Sequence, residues 1–259
     1  MLLKNLQSDM KLYGLIGYPL QHSFSAKFFN EKFSRENIDA EYLNFEIEHI
    51  FELRKILVFN PHLKGLNVTI PHKEAVIAFL DEISPVAKEI GAVNVIKIER
   101  GFGDTYGYKL TGHNTDYIGF KNSIAPLIQP ELHRKALVLG TGGASKAVCK
   151  ALDSLGIAWT YVSRNPKEGA LTYDTLTPEI VAEHNVIVNT TPLGTFPNVE
   201  ACPNIPYSAL TSQHLLFDLV YNPSETTFLK KGKQIGATAK NGAEMLELQA
   251  LAAWEIWGS

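Results

Sequence analysis

A short apolar run leading into a glycine turn and then a helix, KALVLGTGGASKAVCKALDSL at residues 135–155, restricts this chain more than any other stretch. Residues 136–139 read as a buried strand, 144–155 as a helix and 159–162 as the next strand, the order of a parallel α/β unit. Gly140 and Gly142 allow the backbone to turn tightly and to come close to an anion. A helix opening near Gly143 aims unpaired N–H groups and its positive dipole end at that same point. Gly140, Gly142 and Ser145 fill the three small-residue places of the G-x-G-x-x-G/A pattern. The run Gly140, Thr141, Gly142, Gly143, Ala144, Ser145 is therefore the expected cradle for a dinucleotide pyrophosphate.

The strand expected next ends in Ser163-Arg164-Asn165-Pro166-Lys167, with no acidic side chain where an NAD-binding unit accepts the ribose 2′-hydroxyl. Arg164 offers a planar fork for a 2′-phosphate, Ser163 a hydroxyl and Lys167 a second cation, which favours NADP over NAD. Taken alone, Lys167 fits a solvated loop charge better.

At 259 residues the chain can bury a sizeable core, and with about 100–200 residues per domain two domains are preferred over one. A net charge of −3 with scattered Lys and Arg gives no electrostatic footprint for nucleic acid or a membrane surface. Cys149 and Cys202 lack metal-ligand spacing and read as plain thiols of a reducing compartment. No apolar run approaches the roughly 18 residues of a membrane span, and the first residues lack a secretory pattern, so a cytoplasmic protein is expected. Residues 1–9 read as a loose extension.

Strand and helix signals alternate through the first half: strands at 12–17, 41–45 and 65–68, with helices at 26–36, 49–59 and 73–80. Ser84-Pro85 carries N-cap and N1 chemistry for a short helix at 86–90, followed by a strand at 92–98. Beyond the glycine turn, strands at 186–188 and 215–220 and a helix after Thr177-Pro178 complete an open, doubly wound parallel sheet. The tail, 244–257, is an amphipathic helix that can pack back on the first half.

Four polar clusters sit where the first-half strands end: His22-Ser23-Phe24-Ser25, Asn67-Val68-Thr69-Ile70-Pro71-His72-Lys73, Gly91-Ala92-Val93-Asn94 and Gly112-His113-Asn114-Thr115-Asp116. Together with the glycine turn they resemble the shikimate dehydrogenase family, whose patterns are H-S-x-S, N-V-T-x-P-x-K, G-A-x-N, N-T-D-x-x-G and G-x-G-G-A-S. The resemblance runs from Gly14 to Trp257 and takes in Asn189 to Gly194, the DLVYNP segment beginning at Asp218, and Asn241-Gly242 through Met245, Leu246 and Gln249. Against the family pattern, His72 stands where an aromatic is frequent and Ser163 where an asparagine is frequent.

The resemblance implies NADPH-dependent reduction of 3-dehydroshikimate to shikimate on two α/β domains flanking a cleft. The substrate domain would comprise residues 1–112 with 241–259, and the Rossmann-like cofactor domain residues 113–240. It also implies that Tyr221 meets the substrate and that Thr190, Thr191, Val220 and Gly242 lie against the cofactor. A cyclic polyhydroxy carboxylate needs hydroxyl and amide partners, and Ser23, Ser25, Asn67, Thr69, Asn94 and Gln249 are such a set.

Lys73 and Asp116 form the expected chemical pair by resemblance and by argument. Hydride addition to a ketone makes an alkoxide that needs a proton and charge stabilisation, and a lysine ammonium supplies both. Burial would lower its pKa and a nearby carboxylate would raise it, so the sequence leaves the balance open. Lys73 would be the acid in reduction and the base in oxidation, with Asp116 positioning it and a substrate hydroxyl.

Several of these residues also have plainer readings. Ser25 fits the cap of the following helix as well as a substrate contact, and Asp116 fits a cap for a helix at 117–123. His22, His72 and His113 lack metal-ligand spacing, so no metal is expected. The expected partners are small molecules, with the chain a monomer or homodimer. Other readings are a quinate/shikimate dehydrogenase with relaxed substrate or cofactor use, and a non-catalytic sensor of a nucleotide and a carbocyclic acid.

Overall fold

A computed structural model describes residues 10–20, 24–101 and 107–258. The expected extension at 1–9, together with His22 and Ser23, lies outside the described residues. The chain divides into two compact units, Met1–Asn114 with Ala253–Ser259, and Thr115–Ala252.

In the first unit the order is β1 (Lys11–Gly17), α1 (Phe24–Arg35), β2 (Ala40–Glu46), α2 (Leu53–Phe59), β3 (Leu63–Val68), β4 (Glu82–Ile83), α3 (Pro85–Ile90), β5 (Val95–Arg100) and β6 (Tyr108–His113). These strands make one sheet in the order β2-β1-β3-β5-β6-β4. β1 is parallel to β2 and β3, whereas β5 runs antiparallel to both β3 and β6, so the sheet is mixed. One face packs on α2 and α3 through Leu53, Leu57, Leu66, Ile96 and Ala87. Under the other lie Phe29 of α1 and Trp257 from the chain's last helix: Trp257 donates its indole N–H to the Ile96 carbonyl at 3.1 Å and stacks on Tyr13 with ring centroids 4.9 Å apart. Gly65 makes room for that indole, because a Cβ there would run into the Trp257 ring.

The second unit is doubly wound: α4 (Asp116–Ile124), β7 (Lys135–Leu139), α5 (Gly143–Ser154), β8 (Ala158–Ser163), β9 (Ala170–Thr172), α6 (Pro178–Glu183), β10 (Val186–Asn189), β11 (Leu215–Asp218), α7 (Thr227–Gln234), β12 (Thr238–Lys240) and α8 (Ala243–Gly258). Every strand pair in the order β12-β11-β10-β7-β8-β9 is parallel. Residues 136–139 of β7 and 186–188 of β10 are apolar and buried, as a covered parallel sheet demands. From Ala253 onward α8 belongs to the first unit. Among the described residues no helix is long and apolar enough to cross a membrane.

Local expectations hold where capping chemistry sets them. Ser84 and Thr177 accept the amides of Ala87 and Ile180, and each is followed by proline in the first turn. Four expectations need correction. The helix anticipated at 73–80 is only a 3-10 turn at Ala75–Phe79, because the Lys73 carbonyl accepts from the Val93 amide instead of starting a helical ladder. The strand anticipated at 92–98 begins at Val95, after a polar turn. Ser25 is not a cap, since α1 already starts at Phe24, and Asp116 is the first residue of α4 with Thr115 in the N-cap place.

Candidate active site

In the second unit the chain winds outward from β7, first through α5 to β8 on one side and later to β10 on the other. Ligands gather at such a reversal, outside the carboxyl ends of the strands, and the glycine turn occupies it. Gly140 holds φ +106°, a conformation that disfavours side chains, and a Cβ on it would meet the Thr190 Oγ1 at 2.8 Å. Gly142 precedes α5 and faces open space, with nothing within 4 Å of where a Cβ would stand. Ser145 is fully buried and donates to the Gly142 carbonyl at 2.6 Å, so it braces the turn from beneath. The cradle thus combines an open backbone surface with the N-terminus of a 12-residue helix, which suits a pyrophosphate.

At the end of β8, Arg164 and Lys167 are exposed while Ser163 accepts the Asn165 amide. Burial pushes the Tyr173 phenol up, and the charge of Arg164 pulls it back. The group suits a nucleotide phosphate at the ribose.

The ends of β10 and β11 are tied together by a buried network that the sequence reading did not foresee. Asp218 has no accessible surface; its Oδ1 accepts from the Asn189 amide at 2.9 Å and the Val220 N–H at 3.0 Å, and its Oδ2 from the Thr226 hydroxyl at 2.6 Å. Asn189 in turn accepts both the N–H and the hydroxyl of Thr191, at 3.1 and 2.6 Å. Thr190 donates its hydroxyl to the Leu139 carbonyl at 2.6 Å. Burial raises the Asp218 carboxyl to about 6 despite three hydrogen bonds that favour the anion. Gly242 lies so close beneath Leu219 that a Cβ would collide with its carbonyl, and its N–H bonds the Val220 carbonyl at 3.2 Å. Thr190, Thr191, Val220 and Gly242 therefore share one end of the sheet with the glycine turn. Tyr221 follows, 38% exposed, its phenol raised by burial. The legible signal for the network was an aspartate closing the otherwise apolar strand LLFD.

In the same unit Gly119 lets α4 and α8 touch backbone to backbone, its missing Cβ facing the Met245 carbonyl at 2.5 Å. That contact brings Gln249 beside Thr115, whose hydroxyl lies 3.5 Å from the Gln249 Oε1. Asp116, next along the chain, and Gln249 are both buried.

In the first unit Asn67 and Asn94 meet at the ends of β3 and β5. The Asn94 carbonyl accepts the Val68 amide at 2.8 Å and the Asn67 side-chain amide at 3.4 Å. Thr69 follows, half-buried, its N–H bonded to the Ile16 carbonyl. Lys73 is half-buried in the turn beyond, held through its carbonyl by Val93. His72 points away and is buried, its Nε2 bonding the Ile47 carbonyl at 2.8 Å; it anchors the turn. Tyr42 of β2 was missed by sequence reasoning. It is fully buried, donates its hydroxyl to the Asn67 Oδ1 at 2.7 Å and bonds the Ser25 side chain. Ser25, Asn67 and Asn94 are thereby joined in one cluster with Thr69 and Lys73 alongside. Lys73 lies in the first unit and Asp116 in the second.

A glycine turn at a sheet reversal, a cation at the neighbouring strand end, and a separate α/β unit that clusters hydroxyls, amides and a lysine define a nucleotide-dependent oxidoreductase of polar small molecules. Comparison with known proteins agrees. Residues 15–96 match the shikimate dehydrogenase substrate binding domain. The shikimate dehydrogenase (NADP(+)) of Desulforamulus reducens is 35% identical, the match covering 97% of this chain and 91% of that one. The crystal structure of shikimate dehydrogenase from Aquifex aeolicus superposes with a TM-score of 0.83 at 37% identity, covering 97% of this chain and 94% of that chain. The Thermus thermophilus shikimate 5-dehydrogenase, in complex with NADP(H) and shikimate, matches with a TM-score of 0.81 at 29% identity over 96% and 93% of the two chains. The chain belongs to the shikimate dehydrogenase family.

Proposed function

We propose that this protein catalyses the reversible NADPH-dependent reduction of 3-dehydroshikimate to shikimate in the cytoplasm, as a monomer or homodimer. The observation that carries the reading is the join of Ser25, Asn67 and Asn94 in the first unit, a neutral polar surface suited to ring hydroxyls, alongside a glycine turn and exposed Arg164 in the second. NADPH, held by the run Gly140 to Ser145, by Arg164 with Ser163 and Lys167, and by Thr190, Thr191, Val220 and Gly242, supplies a hydride when bound.

Lys73 donates a proton to the alkoxide oxygen in reduction and takes it back in oxidation, and its positive charge stabilises that oxygen as charge develops. Asp116 orients the ammonium and a ring hydroxyl. Ser23, Ser25, Asn67, Thr69, Asn94, Tyr221 and Gln249 bind the remaining hydroxyls and the carboxylate. The domain that holds substrate comprises residues 1–112 with 241–259, and the cofactor domain residues 113–240. The test follows absorbance at the reduced-nicotinamide band with shikimate or quinate crossed against NADP or NAD. A dominant trace for shikimate with NADP is expected; equal traces for quinate or NAD would replace the reading with a relaxed dehydrogenase, and four flat traces would reject an enzyme.

A further inference from the structure

The hydrogen bonds beneath the strand ends of the first unit have a direction, and one residue sets it. Tyr42 lies on β2, an edge strand of the sheet, where no further strand among the described residues pairs with it. The Asn30 side chain takes the place of that strand, accepting the Tyr42 N–H and donating to the Tyr42 carbonyl, both at 2.9 Å. The ring stacks on Phe29 with centroids 4.9 Å apart and planes 12° from parallel. Clamped at its backbone and on one ring face, Tyr42 holds its hydroxyl in one place.

That hydroxyl has a single hydrogen, and it goes to the Asn67 Oδ1 at 2.7 Å. On its other side the Asn67 amide faces the Asn94 carbonyl at 3.4 Å, which can only accept. The two neighbours admit one orientation of the Asn67 amide, with Oδ1 toward Tyr42 and Nδ2 toward Asn94. With one amide N–H toward Asn94 and the phenol on one of the two lone pairs of its oxygen, Asn67 keeps its second N–H to give.

We infer that Tyr42 is a positioning residue that sets substrate specificity by fixing the Asn67 amide in one orientation, its N–H groups toward a ring substrate. The inference rests on the proposed reading of Asn67 as a substrate-binding residue. With Tyr42→Phe the buried Asn67 oxygen has no partner, so the amide is free to turn over and present the wrong group.

Steady-state oxidation of shikimate by the full-length enzyme, at saturating NADP, tests this with Tyr42→Phe, Asn67→Ala and the double variant. Tyr42→Phe is expected to raise the shikimate KM about 10-fold, with kcat within about 2-fold and the NADP KM unchanged. In the Asn67→Ala background the same change should add less than about 2-fold, since its effect runs through Asn67. Partial unfolding lowers apparent kcat and leaves KM alone, so KM is the informative quantity. If Tyr42→Phe does not fold, Asn30→Ala, which releases the clamp on Tyr42, should raise the shikimate KM in the same selective way. A KM unchanged by Tyr42→Phe, or by Asn30→Ala where that variant stands in, overturns the inference if Asn67→Ala raises KM, and so do fully additive effects. A KM unchanged by Asn67→Ala overturns the substrate reading itself.

Discussion

Replacing Asp218 by asparagine should change how stability depends on pH, in a sense opposite to the usual carboxylate. Most carboxylates that matter to folding are paired and depressed, so stability drops in acid. Asp218 is fully buried, and desolvation lifts it from 3.8 to about 6 against the pull of hydrogen bonds from Thr226, the Val220 amide and Asn189. The folded protein therefore retains a proton that the unfolded chain releases from about pH 4 upward. Since stability rises with pH only where the unfolded state binds more protons, this group contributes stability that is complete below about pH 4 and lost as pH rises through about 6. A gap of about 2 units at ~1.36 kcal/mol each amounts to about 3 kcal/mol. Asparagine cannot titrate, although its oxygen can still accept from Asn189 and Val220. Its amide nitrogen then meets the Thr226 oxygen, which already accepts from the Leu229 amide. Urea unfolding of both proteins between pH 4 and 8, followed by far-ultraviolet circular dichroism, measures the difference. The parent's stability relative to the variant should fall by about 3 kcal/mol from pH 4 to 7 and then level off. A difference that stays flat, or grows with pH, would refute the reasoning.

Lys73→Ala should lower kcat about 10²- to 10⁴-fold, with a much smaller change in the shikimate KM, because a proton donor is lost chiefly from the transition state. Parent-like turnover in that variant would remove Lys73 from the chemistry. Arg164→Ala should raise the NADP KM about 10-fold or more and leave the shikimate KM unchanged, the loss expected for a charged hydrogen bond to phosphate. Equal affinity of parent and variant for NADP would assign the arginine to the surface alone.

How much of this molecule was legible depends on how local the cause is. The glycine turn could be read because its pattern is contained within six residues, with Gly140 in a positive-φ conformation and Gly142 leaving open space before α5, and the caps at Ser84 and Thr177 are equally local. The alternation of strands and helices gave the parallel second sheet. The mixed first sheet was not legible, because an antiparallel β5 depends on which strand it pairs with, and periodicity does not reveal a partner. The failed helix at 73–80 has the same origin: its residues suit a helix, but the Lys73 carbonyl is claimed by Val93, distant along the chain.

The sequence by itself determined the chemistry on offer: a cradle for a nucleotide, a cation at the neighbouring strand end, and a set of hydroxyls, amides, a lysine and a carboxylate with the family's spacing. Tertiary structure alone decided which of these groups are fixed and in what sense. Tyr42 lies in no motif and Asp218 opens the DLVYNP segment without a role assigned from sequence, and each is fixed in place because folding removes it from water. A buried hydrogen-bonding group must find partners, and the partners that came to hand, Asn67 for one and Asn189 with Val220 for the other, are the groups that line the strand ends.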